Sequence, residues 1–272
     1  MDKKRNITEV RCGDFYFLYF EKESERGLSN RTWHMHSFYE IMFFADTESE
    51  YAIENNRYVV KSGDVLLIKP GQHHFERRII QPHSAFFCLG FSDDALSSGT
   101  LAARIFAKRE HIMLEAGHPI SALLSAARDI LEKSKSNAEI LLKAIADAAI
   151  LALNDPDLAK EDSAETNNST ISKIIDFINE NLFEIKSIDD IARGVFFSNS
   201  YLRSTFKREM GIGVMQYVRN KKILIANDRI RKGERPTAIY AECGFRNYPS
   251  FYRAYCAYFG LSPKGKHNNT SQ

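Results

Sequence analysis

Residues 187–211, SIDDIARGVFFSNSYLRSTFKREMG, decide the fold. Ser187 stands where a helix begins, and Asp190 follows three residues later, the spacing of a capping box. Ile188, Ile191 and Ala192 recur at helical intervals and form a buried face, with the small Ala192 admitting a second helix at close range. Ser198 caps a second helix over about 199–209. Leu202 and Phe206, one turn apart, point inward. Asn199, Ser200, Arg203, Ser204, Lys207 and Arg208 are left outside, and Gly211 supplies a left-handed stop. Two short helices and a tight turn make a helix-turn-helix, whose second helix carries the short polar and basic face that enters a DNA major groove.

One such pattern is weak evidence, but this one recurs. Leu202, Phe206 and Gly211 are matched at one constant separation by Phe251, Tyr255 and Gly260. The second copy is TAIYAECGFRNYPSFYRAYCAYFGLSP, residues 237–263, with Gly244 at the turn, Asn247 as cap and Pro249 in the first helical turn. Between the copies, Val214 to Arg231 has the pattern of one long connecting helix ending at Lys232-Gly233. Ahead of them, Ile171, Ile174, Ile175, Ile178 and Leu182 mark a supporting amphipathic helix.

Composition agrees. The 272 residues suit two domains, and a net charge of only +2 hides an asymmetry. From Thr170 onward there are 17 Lys and Arg against 9 Asp and Glu, which leaves the rest of the chain acidic. A basic C-terminal half implies a polyanionic partner. The four cysteines, Cys12, Cys88, Cys243 and Cys256, form no CxxC pair and are expected to be reduced thiols of a cytoplasmic protein. The N-terminal MDKKRNITEV lacks the apolar core of a secretion signal, and no apolar run reaches the roughly 20 residues needed to span a bilayer.

From about Asp14 to Phe91 the chain alternates short β-rich runs with turn residues (Asn55-Asn56, Ser62-Gly63-Asp64, Pro70-Gly71), the pattern of a sandwich or small barrel. Its chemical feature is His34-Met35-His36 followed by Glu40, with His74 just past Pro70-Gly71. On one strand, residues 34, 36 and 40 share a face, and His74 can join them from a neighbour. Three imidazoles and a carboxylate suit a divalent metal; equally, they suit the polar rim of a small-molecule pocket. Trp33, Phe38, Tyr39 and Phe44 flank them. Glu76, Arg77 and Arg78 lie on one strand and either meet an anionic effector or face solvent.

Two helices follow. Ile120, Leu123, Leu124, Ala127, Ile130 and Leu131 form the first stripe. Ser136 with Glu139 caps a second helix, whose stripe is Leu141, Ala144, Ile145, Ala148, Leu151 and Ala152. Such a hairpin packs on the β domain or pairs with its copy in a second subunit. Asn154 to Asn168, polar and acidic, is expected to be a linker.

The HxHxxxE of residues 34–40 and the Gly63…Pro70-Gly71-x-x-His74 run resemble the two motifs of the cupin superfamily, although Lys69 and Arg78 stand where its proline and asparagine fall. Residues 170–263 resemble the DNA-binding domain of the AraC-type (AraC/XylS) bacterial transcription regulators, on IDDIA, SNSYLRSTFKREMG and GF…SFYRAY…YFGLSP. The resemblance implies an α+β multidomain chain: a cupin-like β-barrel for effector binding (1–95), a helical hairpin for dimerisation (96–154), a linker (155–169) and an all-α domain of two helix-turn-helix units (170–272). Carried over position by position, the base-reading face of the first unit falls on Ser200, Arg203 and Ser204, with Lys207 and Arg208 on phosphate. That of the second falls on Pro249, Ser250, Tyr252 and Arg253, with Arg246 and Asn247 near the backbone. Trp33, His34, His36, Glu40 and His74 become the effector site, and the last four the ligands of a possible divalent metal. Tyr240, Arg229, Cys256-Ala257 and Lys264-Gly265-Lys266-His267 depart from the family pattern, which puts base reading by the second unit in question.

The function expected is a ligand-responsive, sequence-specific regulator, not an enzyme. Its partners would be double-stranded DNA, a sugar or small-acid effector, a second copy of the chain and the transcription machinery. The competing reading is a metal-dependent cupin enzyme working through His34, His36, Glu40 and His74. A third is a constitutive DNA-binding module whose barrel only dimerises.

Overall fold

The computed structural model describes residues 5–23, 27–28, 34–92, 94–114, 117–155, 159–161, 165–166 and 169–264. The chain divides into two compact units, Met1–Glu165 and Thr166–Gln272.

The first unit contains strands Arg5–Cys12 (β1), Phe15–Glu23 (β2), Gly27–Leu28 (β3), Tyr39–Asp46 (β4), Ser49–Ile53 (β5), Asn56–Val60 (β6), Asp64–Ile68 (β7), His74–Ile79 (β8), His83–Phe91 (β9), His111–Leu114 (β10) and Ala159–Glu161 (β11). One sheet runs β1-β2-β9-β4-β7-β10-β11, and the second contains β6-β5-β8-β3 in that order. Strand β4 shows why the run EIMFF is apolar without alternation. Met42 and Phe44 join Phe86, Tyr51, Tyr58 and Ile68 in a core between the sheets. Ile41 and Phe43 face the other way, into a core shared with the helices Gly99–Lys108 (α1), Pro119–Lys133 (α2) and Ala138–Asn154 (α3). A strand buried on both faces loses the period-2 signal.

Three expectations differ from the fold. The stripe on α3 is rotated: Leu142, Ile145, Ala146, Ala149, Ile150 and Leu153 are buried, while Leu151 is 60% and Ile140 73% exposed. The helix is apolar over most of its circumference, so spacing alone does not choose a face. Its cap position is Asn137, without a side-chain cap bond, and Ser136 instead contacts Ser134. The segment expected as a linker also supplies β11, antiparallel to β10. Pairing at an open sheet edge uses only backbone groups, so a polar composition does not forbid it.

The second unit is helical: Ser169–Glu180 (α4), Ile188–Val195 (α5), Asn199–Met210 (α6), Val214–Arg231 (α7), Pro236–Ile239 (α8) and Tyr248–Phe259 (α9). At the first cap, the Asp190 carboxylate accepts from the Ser187 N–H (2.8 Å) and from the Ser187 hydroxyl (3.1 Å). Ser198 Oγ accepts from Tyr201 N–H, Asn247 Oδ1 accepts from Ser250 N–H, and Gly211 and Gly260 close their helices in the left-handed region. Close helix approach is set at Gly194 rather than at Ala192, because a Cβ at 194 would sit 2.0 Å from the Phe177 ring. The two turns differ. The left-handed residue after α5 is Phe196, 92% exposed at φ +59°, whereas the second helix-turn-helix uses Gly244 at φ +73°.

Within this helical unit, α7 is fastened on both sides by polar groups. Lys221 Nζ donates to Asn179 Oδ1 at 2.6 Å, and Tyr255 Oη donates to Asn227 Oδ1 at 2.6 Å. Lys222, 5% exposed, donates to the carbonyls of Ile185 (2.7 Å), just ahead of α5, and of Gly244 (3.1 Å), in the turn before α9. Arg229, one of the departures from the family pattern, holds Glu234 and Glu242.

The capping box carries a pH dependence. The N–H groups of Lys186 and Ser187, with the Ser187 hydroxyl and Arg193, bring the Asp190 carboxyl down to about 2. A carboxyl lowered in the fold stabilises it above the ordinary value near 4, and the contribution fades as pH falls through the folded value. The melting-temperature gap between wild type and Asp190→Asn should therefore be full above about pH 4 and close toward pH 2. A gap independent of pH would show that the charge is not what the cap uses.

Candidate effector site and nucleic-acid interface

His36, Glu40 and His74 come together at one end of the sheets, their donor atoms all within 4.8 Å of one another, and all three are buried. Glu40 is on β4 and His74 opens β8, as the spacing requires. His36 does not share that strand. It lies in the irregular segment before β4, so residues 34, 36 and 40 do not form one strand face. His34 is exposed and stays outside the trio. Its backbone bridges to His74 (3.2 and 3.0 Å), and its ring meets the His74 ring edge-on at 4.1 Å. Trp33 lies outside the described residues.

The flanking aromatics separate. Phe38 stacks on His36 at 3.8 Å and 5°. Space for it comes from Gly90, where a Cβ would lie 2.7 Å from the Phe38 ring. Tyr39 turns to Phe91 and Phe106 on the helix side, and Phe44 is core. Glu76 is neither exposed nor at the site; it is buried and accepts from Ser49 Oγ. Arg77 pairs with Glu50.

The proton arrangement in the trio is informative. His36 Nδ1 lies 2.9 Å from Phe38 O, and His74 Nδ1 lies 3.0 Å from Gln72 O. A carbonyl only accepts, so each Nδ1 carries the hydrogen and each neutral ring keeps its lone pair on Nε2. Both Nε2 atoms face Glu40 Oε2, at 3.2 and 3.5 Å. Burial lowers the His36 pKa despite the pull of Glu40. Burial raises that of Glu40, but contacts with His36 and His74 outweigh it and hold the carboxyl well below its ordinary value. Two lone pairs and a carboxylate facing one another are stable only with a positive charge between them, a proton or a cation. Gln72, which anchors His74, is itself held by Glu110 Oε1 at 2.7 Å, and Glu110 also accepts from Asn56 and Tyr58. Neither Gln72 nor Glu110 carries a local sequence signal, since their role depends on contacts across the sheets.

In the second unit, Arg203 is exposed and, among the described residues, makes no hydrogen bond or ion pair; the same holds for Arg253. Ser200 is exposed, and the Ser204 hydroxyl donates back to the Ser200 and Tyr201 carbonyls. Lys207 reaches the Gly211 carbonyl and Arg208 pairs with Glu209. On the second helix, Pro249 and Arg246 are exposed, Ser250 is half-buried, and Tyr252 is 42% exposed beside Tyr248. The Asn247 carbonyl oxygen is occupied by the helix cap.

Two family models match this architecture in the order found: an AraC-like ligand binding domain over residues 20–150 and a helix-turn-helix domain over 191–266. The chain belongs to the AraC-type family of transcription regulators. It is a ligand-responsive DNA-binding regulator with a cupin-like first domain. Among similar proteins, the HTH-type regulator YbfI of Bacillus subtilis is 20% identical over 219 residues, covering 78% of each chain. The multiple antibiotic resistance protein MarA of Escherichia coli is 28% identical over 99 residues, which is 36% of this chain and 78% of MarA. ToxT of Vibrio cholerae aligns at 13% identity and a TM-score of 0.39 over 93% of this chain and 96% of its own. At those values that likeness adds nothing to the assignment. No helix among the described residues is long and apolar enough to cross a membrane.

Proposed function

We propose that this cytoplasmic regulator reads two adjacent major-groove segments, one with α6 and one with α9, and that an effector held at His36, Glu40 and His74 alters how the readers are presented. The observation that carries the reading is the exposed, uncommitted guanidinium of Arg203 on the first reading helix. Ser200 and Ser204 flank it, and Lys207 and Arg208 serve the phosphates. In the second helix-turn-helix, Pro249, Ser250, Tyr252 and Arg253 form the corresponding face, with Arg246 and Asn247 at the backbone. Arginine bonded bidentately to guanine contributes about 1–3 kcal/mol of discrimination.

The trio suits an effector rich in hydroxyls better than a small acid, because Glu40 accepts from hydroxyls and repels a carboxylate. A second reading has its own support. With both Nδ1 atoms tied to carbonyls, the two Nε2 atoms and Glu40 form a donor set oriented for a divalent cation. The barrel is then a sensor, and no catalytic step is required of it. The outward face of α3, with Ile140 and Leu151 exposed, supports pairing of two chains through the hairpin. From such a dimer the regulator would act on the transcription machinery.

Selection of duplexes from a random pool by the full chain tests this. The expected product is two short blocks about one duplex turn apart, the pair repeated if two chains bind together. Arg203→Ala should lose about 10- to 100-fold in affinity for the selected site and tolerate any base at one position. Unchanged protection of the site by that variant would remove Arg203 from the reading face.

A further inference from the structure

A cleft of about 530 Å³ opens between α7 and α9, lined by Gln216, Arg219 and Asn220 on one side and by Ser250, Arg253, Ala254, Ala257 and Tyr258 on the other. We propose that it seats a phosphodiester of the duplex backbone, with Arg219, on the connecting helix, as its principal ligand. This rests on the DNA-reading proposal above but concerns a residue outside both reading helices. The lining holds two guanidinium groups and no carboxylate. Its size far exceeds a lone phosphate ion and suits a phosphate with the deoxyriboses on either side. Ala254, Ala257 and the Tyr258 ring give the sugars an apolar floor, while the amides of Gln216 and Asn220 supply further donors. Those amides are ordered: Gln216 Nε2 donates to Asn220 Oδ1 at 2.8 Å, and Arg219 Nη1 donates to Gln216 Oε1 at 3.1 Å. The second of these aims the guanidinium while leaving most of its donors unused. Ser250 and Arg253 belong to the reading helix, so a strand in this cleft would be next to the bases α9 reads.

A phosphate contact has a signature that base contacts lack. It weakens binding equally for all sequences and contributes to the salt dependence. The full chain is titrated with its selected duplex and with an unrelated duplex from 50 to 200 mM salt, as wild type, Arg219→Ala and Arg219→Lys. Arg219→Ala should lose roughly tenfold on both duplexes at low salt, and its log–log salt slope should fall by about one. Arg219→Lys should restore the slope, since it keeps the charge. An unchanged slope, or a loss confined to particular bases, overturns the proposal. A third arm adds inorganic phosphate at matched ionic strength: competition stronger than that of chloride, abolished in Arg219→Ala, would make the cleft a free-anion site and equally overturn it. If wild type selects no duplex, the DNA-reading proposal fails and takes this one with it. A selecting wild type with an unaltered Arg219→Ala slope defeats this inference alone.

Discussion

Lys222→Met should cost the DNA-binding unit about 2–4 kcal/mol and abolish tight operator binding, although the residue touches neither DNA nor effector. Methionine replaces the lysine stem as far as Cε and fills most of the same channel. The ammonium, however, is the donor to two backbone carbonyls, of Ile185 and Gly244. Backbone acceptors cannot be removed with their donor, and each orphaned one costs about 1–3 kcal/mol. Relief follows from no longer burying a charge, since burial lowers the Lys222 pKa, and for that reason the sum stays below the full cost of two orphans. Against total stabilities of about 5–15 kcal/mol the loss is large. Denaturant unfolding of the full chain, with Lys222→Arg as the donor-keeping control, reads it. Equal midpoints for wild type and Lys222→Met would mean that the two carbonyls find other donors and that the lysine is not the fastening.

The second large effect concerns the buried trio. If His36, Glu40 and His74 take up a divalent cation, the first unit should gain about 2.7 kcal/mol at a cation concentration one hundred times the dissociation constant. For a unit of this size that amounts to roughly 5–10 °C in melting temperature. Zinc, manganese and nickel are each tested on the chelator-treated full chain. Glu40→Gln and His74→Ala should each remove the gain, while His34→Ala, outside the trio, should keep most of it. A melting curve indifferent to all three metals leaves a shared proton as the charge between the imidazoles and the carboxylate. The site is then a hydrogen-bonding rim for the effector.

Much of the DNA-binding unit was legible from local chemistry. Ser187 with Asp190, Ser198, Asn247, Gly211 and Gly260 each act within one turn of chain, where residue type and spacing determine geometry. The repeat then fixed the architecture. Lys222 was illegible for the opposite reason: its partners lie far away in both directions along the chain, and a lysine in a basic helix looks solvated. The first unit divides in the same way. Glu40 and His74 were readable from motif spacing, but the segment before β4 departs from regular strand and leaves His34 outside. Tyr39 and Glu40 are neighbours on a strand buried on both faces, so apolarity did not show which side each would take. Helix α3 posed the same difficulty with helical period, and Gln72 and Glu110 acquire their roles only when the sheets meet.

The polar fastening of α7 has a consequence for the promoters this regulator can use. Eighteen residues of helix, about 27 Å long, packed on α6 through Phe206 and Tyr217 and bonded to α9 through Asn227 and Tyr255, behave as a gauge rather than a hinge. One extra base pair between the two blocks turns the far one by about 35° around the duplex axis, which a gauge of fixed length cannot follow. If α6 and α9 each read one block as proposed, operators for this protein can drift in letters but not in spacing, and the gap should be the most constant feature shared by its target genes.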